Sequence, residues 1–275
     1  MSTLGKWRLL ICLLVPFAPL LTGGVARAAG PPFQMDDPDV IPFHHFEFYT
    51  FSNLSSTPGV TGVAAPALEL NWSGVHNVMF HFLVPAAEAL PAGGPNTFGL
   101  GDSEAGMQVR IIPEGKFRPM MGTFPMMEIP TGNPARGLGA GKPSWKVPLW
   151  MQKGIGPWTL DWGGGENLSY IPGTRNFTFG GAFLQRDVSK KLSLAGEVFS
   201  HGRELVGDPR ARFATMIDFG GYYTLRDPGP QLLFCYGHSV AGQNETYAYV
   251  GLYWTWGPKE PKDAGPKISR LLQKM

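Results

Sequence analysis

Charge is scarce in this chain. Asp, Glu, Lys and Arg make up 16% of its 275 residues, where soluble domains carry roughly 25%. Long apolar runs are missing too. Beyond the first thirty residues no stretch of about 18 apolar residues occurs, which excludes a membrane-spanning helix. Cysteine is limited to Cys12 and Cys235. A net charge of +2 speaks for neither a nucleic-acid partner nor an acidic one. Metal-ligand spacing is also lacking. His44 and His45 are adjacent, and neighbours on a strand point to opposite faces, so they do not share one ion. No G-x-S-x-G element is present, and Ser200 and His201 diverge as strand neighbours. Residues 136–143 hold glycines and Lys142, but Arg136 stands where a phosphate-binding loop has glycine and Pro143 where it has Ser or Thr. No cofactor, no metal and no enzymatic activity are therefore expected. A barrel enzyme stays open only because geometry, not chain order, decides a triad.

What is abundant points one way. Gly (37) and Pro (26) are frequent, and aromatics reach 12%. Lys6 and Arg8 precede an apolar run from Leu9 to Leu21, followed by the small-x-small triplet Ala26-Arg27-Ala28. This reads as a signal peptide over 1–28, removed on export. Cys12 leaves with it, and Cys235 remains alone, so the mature chain forms no internal disulfide.

The remainder carries about twelve segments that alternate apolar and polar residues, the period of a strand with one wet and one greasy face. In the clearest, Glu104–Ile112, Ala105, Met107, Val109 and Ile111 oppose Glu104, Gly106, Gln108 and Arg110. Phe117–Ile129 and Trp145–Lys153 contain Pro119, Pro125 and Pro148, which predicts bulges. The links alternate as well. Tight turns at Ser73-Gly74, 113–116, 154–156, 187–190 and 227–229 are separated by longer loops at 53–66, 85–98, 130–144, 164–175, 201–210 and 238–244. Short periplasmic turns and long outer loops are the pattern of an outer-membrane barrel. The fold class predicted is all-β, a transmembrane antiparallel up-and-down β-barrel. Its parts are a periplasmic lead over 29–43, the barrel over 44–256, and a basic, proline-containing periplasmic tail over 257–275. A soluble β-sandwich or lipocalin-like barrel is the competing architecture.

The alternation nominates an inward face. Glu69, His81, Glu104, Gln108, Arg110, Glu197 and Asp218 are the candidate lumen-lining residues, because Arg or Lys at mid-depth on a lipid face costs about 2–4 kcal/mol. They serve either solute selection or a structural network filling a narrow barrel. Trp72, Trp145, Trp150, Trp158, Trp162, Trp254 and Trp256 are the candidate aromatic girdle. The partners implied are outer-membrane lipid and a small-molecule solute.

Several short stretches carry a resemblance. They are Gly99-Leu100-Gly101-Asp102, Ile129-Pro130-Thr131-Gly132, Val147-Pro148-Leu149-Trp150-Met151-Gln152-Lys153 with Gly156-Pro157-Trp158, Phe183-Leu184-Gln185-Arg186, and Gly196-Glu197-Val198. In this order and spacing, from Phe43 to Trp256, the chain resembles the outer-membrane transporters of the MetA-pathway of phenol degradation. The resemblance implies uptake of aromatic or other hydrophobic small molecules. It assigns no catalytic or ligand residues. The alternatives are a plugged structural or surface-interaction barrel and an outer-membrane enzyme.

Overall fold

The computed structural model describes residues 31–207, 212–227 and 229–258. The expected signal peptide over 1–28 and all but the first two residues of the expected tail lie outside them.

The strands run β1 (Phe46–Thr57), β2 (Val60–Val75), β3 (Val78–Pro91), β4 (Thr97–Leu100), β5 (Ser103–Ile112), β6 (Met120–Thr123) and β7 (Met126–Ile129). They continue as β8 (Ser144–Ile155), β9 (Trp158–Ser169), β10 (Phe177–Asp187), β11 (Leu192–His201), β12 (Ala214–Thr224), β13 (Gln231–Gly242) and β14 (Thr246–Trp256). Each pairs antiparallel with its neighbours, and β1 pairs with both β2 and β14, so the sheet closes. Strands β4 and β5 both pair with β3 and are two halves of one wall strand. Strands β6 and β7 both lie between β5 and β8 and form another. The result is a closed barrel of twelve wall strands.

The predicted proline effects separate into two cases. Pro125 does interrupt the ladder between β6 and β7, and its carbonyl accepts from Met107 N–H at 3.0 Å. Pro148 does not break β8, which runs on through it.

The barrel is taller than the sequence predicts at the end where β1 turns into β2. The links at 53–66 and 85–98 are largely strand. Strands β1 and β2 meet in the two-residue turn Pro58-Gly59, and only 92–96 join β3 to β4. These segments are rich in Ala, Val, Gly and Thr, too small to mark a lipid face, so period two is silent although the pairing persists. At the opposite end the first turn also moves. It lies at His76-Asn77, with Asn77 at φ 62°, rather than at Ser73-Gly74.

Along each strand the outward positions are apolar and exposed, as lipid requires. Leu68, Leu70, Phe80, Phe82, Met107, Ile111, Leu194, Val198, Phe219 and Val250 all lie there. The inward positions are buried and mixed. Tyr49, Phe51, Phe183, Phe199, Tyr249 and Tyr253 form an apolar cluster with Phe33 and Met35 of the preceding segment.

Candidate functional site

All seven candidate lumen residues sit on the inward face. Gln108, Glu69 and His81 are 3%, 4% and 7% exposed, and Glu197 and Asp218 are fully enclosed. Glu104 and Arg110 are partly buried. The structure brings them into two groups. Glu69, His81 and Glu104 form one cluster. Glu197 and Asp218 face each other across β11 and β12 as the other.

In the first cluster, His81 Nδ1 lies 2.8 Å from Asn71 Oδ1, and His81 Nε2 lies 3.0 Å from Glu104 Oε1. The Asn71 amide donates to Glu69 Oε1 at 2.8 Å, which turns its carbonyl oxygen toward the ring. Both ring nitrogens therefore face acceptors, the arrangement an imidazolium satisfies. Lys146 of β8, also turned inward, lies in the field of Glu104, Asp36 and Glu128.

Gln108 and Arg110 meet a partner that the sequence reading placed elsewhere. Residues 31–42, within the 29–43 stretch expected to be a periplasmic lead, run along the inside of the barrel. Pro32, Phe33, Met35, Asp37, Pro38, Val40 and Ile41 are buried there. The Gln34 and Met35 N–H groups donate to the two oxygens of Glu197 at 3.1 and 2.9 Å, and the Gln34 side chain donates to Asp218 Oδ2 at 2.9 Å. At the other end, Gln108 Nε2 donates to the Asp37 and Asp39 carbonyls. Arg110 Nη1 pairs with Asp39 Oδ1 at 2.7 Å. A side-chain Cβ at Gly181 would come within 2.7 Å of Met35 Sδ, and one at Gly122 within 2.9 Å of Pro38. These glycines make room for the segment. A glycine inside a strand where another backbone approaches is the one signal that could have found it.

Six of the seven candidate girdle tryptophans face outward or lie at the rim. Trp72, Trp145 and Trp158 are exposed, and Trp162, Trp254 and Trp256 are half-exposed. Trp150 is the exception. It is 1% exposed and packs inside the barrel beside Phe179, ring centroids 6.1 Å apart. Period two explains the error. Trp145 and Trp150 are separated by an odd number of positions on continuous β8, so they point to opposite faces. Outward aromatics gather at the end where β1 starts and β14 stops. Phe46 stacks between Trp72 and Trp256, and Trp72 continues to Phe80.

Between the inner segment and the far rim lies a cavity of about 560 Å³. One side is aromatic, with Tyr49, Phe51, Phe177, Phe179, Phe199, Tyr247 and Tyr249. The other carries Glu69, His81, Glu104 and Lys146, with Asp36 of the inner segment. At the rim His201 Nε2 lies 3.0 Å from Glu245 Oε2, and Glu204 stands 3.8 Å from its other nitrogen. Glu204, in the link after β11, keeps 54% of its side chain exposed. Sequence reading missed Glu47, Asn71, Lys146 and the inner-segment carboxylates. Among the described residues no group of three or more His, Cys, Asp or Glu is placed to hold a metal ion.

No protein-family model matches the chain, and no curated protein matches it. Solved structures do. The COG4313 outer membrane channel from Pseudomonas putida F1 superposes with a TM-score of 0.69 at 15% identity, covering 82% of this chain and all of that one. The translocator domain of the autotransporter NalP from Neisseria meningitidis gives 0.48 at 11% identity over 76% of this chain and 88% of its own. Pseudomonas aeruginosa OccK11 gives 0.38 at 8% over 78% and 95%. The chain has the closed β-barrel fold of bacterial outer-membrane proteins.

Proposed function

We propose that the protein is a passive channel for small hydrophobic or aromatic compounds. One observation carries the reading. The barrel encloses a cavity whose aromatic wall is large enough to seat a small ring, reached from the far rim and ending on the inner segment. Pockets of roughly 300–1,000 Å³ are the usual size for small organic ligands. The structural neighbour of highest similarity reported above is described as an outer membrane channel, which supports the same reading.

The test is single-channel conductance of the refolded, signal-free protein in planar bilayers, with and without phenol. Small discrete steps that phenol blocks are the expected result. A heat-modifiable barrel with no conductance would overturn passage through the lumen. That outcome would favour a second reading, a closed barrel with a structural or surface role. The inner segment is the observation on its side.

A further inference from the structure

The cavity is not electrically neutral. Eight carboxylate side chains line it, against Lys146, Arg212 and two histidines. His81 and His201 each present both ring nitrogens to oxygen acceptors, so both can be counted as cations. With Asp39 already paired to Arg110, seven carboxylates remain against four cations. Glu204 and Glu245 stand at the rim, on the links after β11 and β13, and Glu104, Glu69 and Glu47 lie on the wall strands.

The acidic and aromatic surfaces meet at Tyr49. Its hydroxyl donates to Glu47 Oε2 at 2.8 Å, and in the β1–β2 register it stands directly opposite Glu69. Its ring packs on Tyr253, centroids 4.6 Å apart, and Phe51 stacks on Tyr249 one step along at 4.8 Å. Tyr249 is 5% exposed and lines the cavity, and its hydroxyl has no hydrogen-bond partner among the described residues. Aromatic faces attract cations, more strongly where water is excluded, and carboxylates beside them add direct charge pairing.

We propose that this cavity recognises organic monocations that join an ammonium group to an aromatic body. The ammonium sits at the seam of Tyr49, Glu47 and Glu69, and the ring lies along Phe51 and Tyr249. Neutral and acidic molecules of the same shape are disfavoured. The inference rests on the channel reading for its physiological sense, and on the cavity alone for its chemistry.

The experiment uses a matched pair on the refolded, signal-free chain in detergent micelles. Calorimetric titration with phenethylammonium is compared with phenylacetate, which has the same body and opposite charge. The expected result is binding of phenethylammonium at least about tenfold tighter, the size of one charge-assisted contact. Glu69→Gln is expected to weaken phenethylammonium about tenfold and not to weaken phenylacetate. If Glu69→Gln does not fold, Glu204→Gln at the more exposed rim takes its place. It should move the zero-current potential in a KCl gradient away from cation preference. Binding without conductance would sink the channel reading and keep the site. Equal binding of the two probes, tighter binding of phenylacetate, or no binding of either would overturn the proposal whatever the conductance.

Discussion

Two anchors hold the inner segment, and they are built in opposite senses. At the deeper one the barrel wall accepts. Glu197, 2% exposed, takes the Gln34 and Met35 N–H groups, and Asp218 takes the Gln34 side chain. At the one nearer the start of β1 the wall donates. Gln108 binds two carbonyls, and Arg110 binds the Asp39 carboxylate. The difference fixes direction as well as position. The segment has carbonyls along its whole length and N–H groups at every residue but its prolines, so a wall with acceptors only or donors only would tolerate sliding. Acceptors at one end and donors at the other leave one register. The anchors also differ in surroundings. The first is enclosed, while Arg110 and Asp39 keep 27% and 33% of their side chains exposed.

Glu197→Ala should separate the two most strongly. It strands two buried N–H groups, each costing about 1–3 kcal/mol, and should free the deep end of the segment. Single-channel conductance is expected to rise severalfold, with a clear fall in the urea midpoint. Unchanged conductance would show that the deep anchor is not what holds the segment. Gln108→Ala removes neutral hydrogen bonds worth about 1 kcal/mol each. A smaller rise in conductance is expected, and a rise matching that of Glu197→Ala would erase the distinction between the anchors. Arg110→Gln breaks a partly exposed ion pair of about 0.2–1 kcal/mol. Its effect should be slight and should vanish in 1 M salt, where screening acts within about 3 Å. Trp72→Ala touches neither anchor. Conductance should stay at the wild-type value, while the urea midpoint measured in bilayers falls modestly.

The fold was largely written in period two. Glu104–Ile112 declares its faces, and the inward carboxylates follow from the cost of charge in lipid. Trp150 went astray because tryptophans were grouped by type rather than counted along β8. The upper halves of β1, β2 and β3 were illegible for another reason. Where a strand rises beyond the lipid, neither face needs to be greasy, and Val60-Thr61-Gly62-Val63-Ala64-Ala65 gives no contrast to read. The inner segment hid most completely. With Pro31, Pro32, Pro38 and Pro42 it reads as a linker, and its partners lie far away in sequence. Half of the candidate site was thus visible as wall residues, while what they hold was not.

The aromatic stack where β1 starts and β14 stops has a kinetic consequence. Phe46 faces Trp256 across the pairing of the first strand with the last, the two strands farthest apart in the chain. Every other wall contact can form between neighbours as the hairpins add one by one. This seam alone must wait for the whole sheet, and loop-closure entropy opposes it most. Phe46, Trp72, Phe80, Phe48 and Trp254 gather on that stretch of wall. The barrel therefore carries its densest adhesive at the joint that closes last, where an open edge would otherwise be free to find another chain.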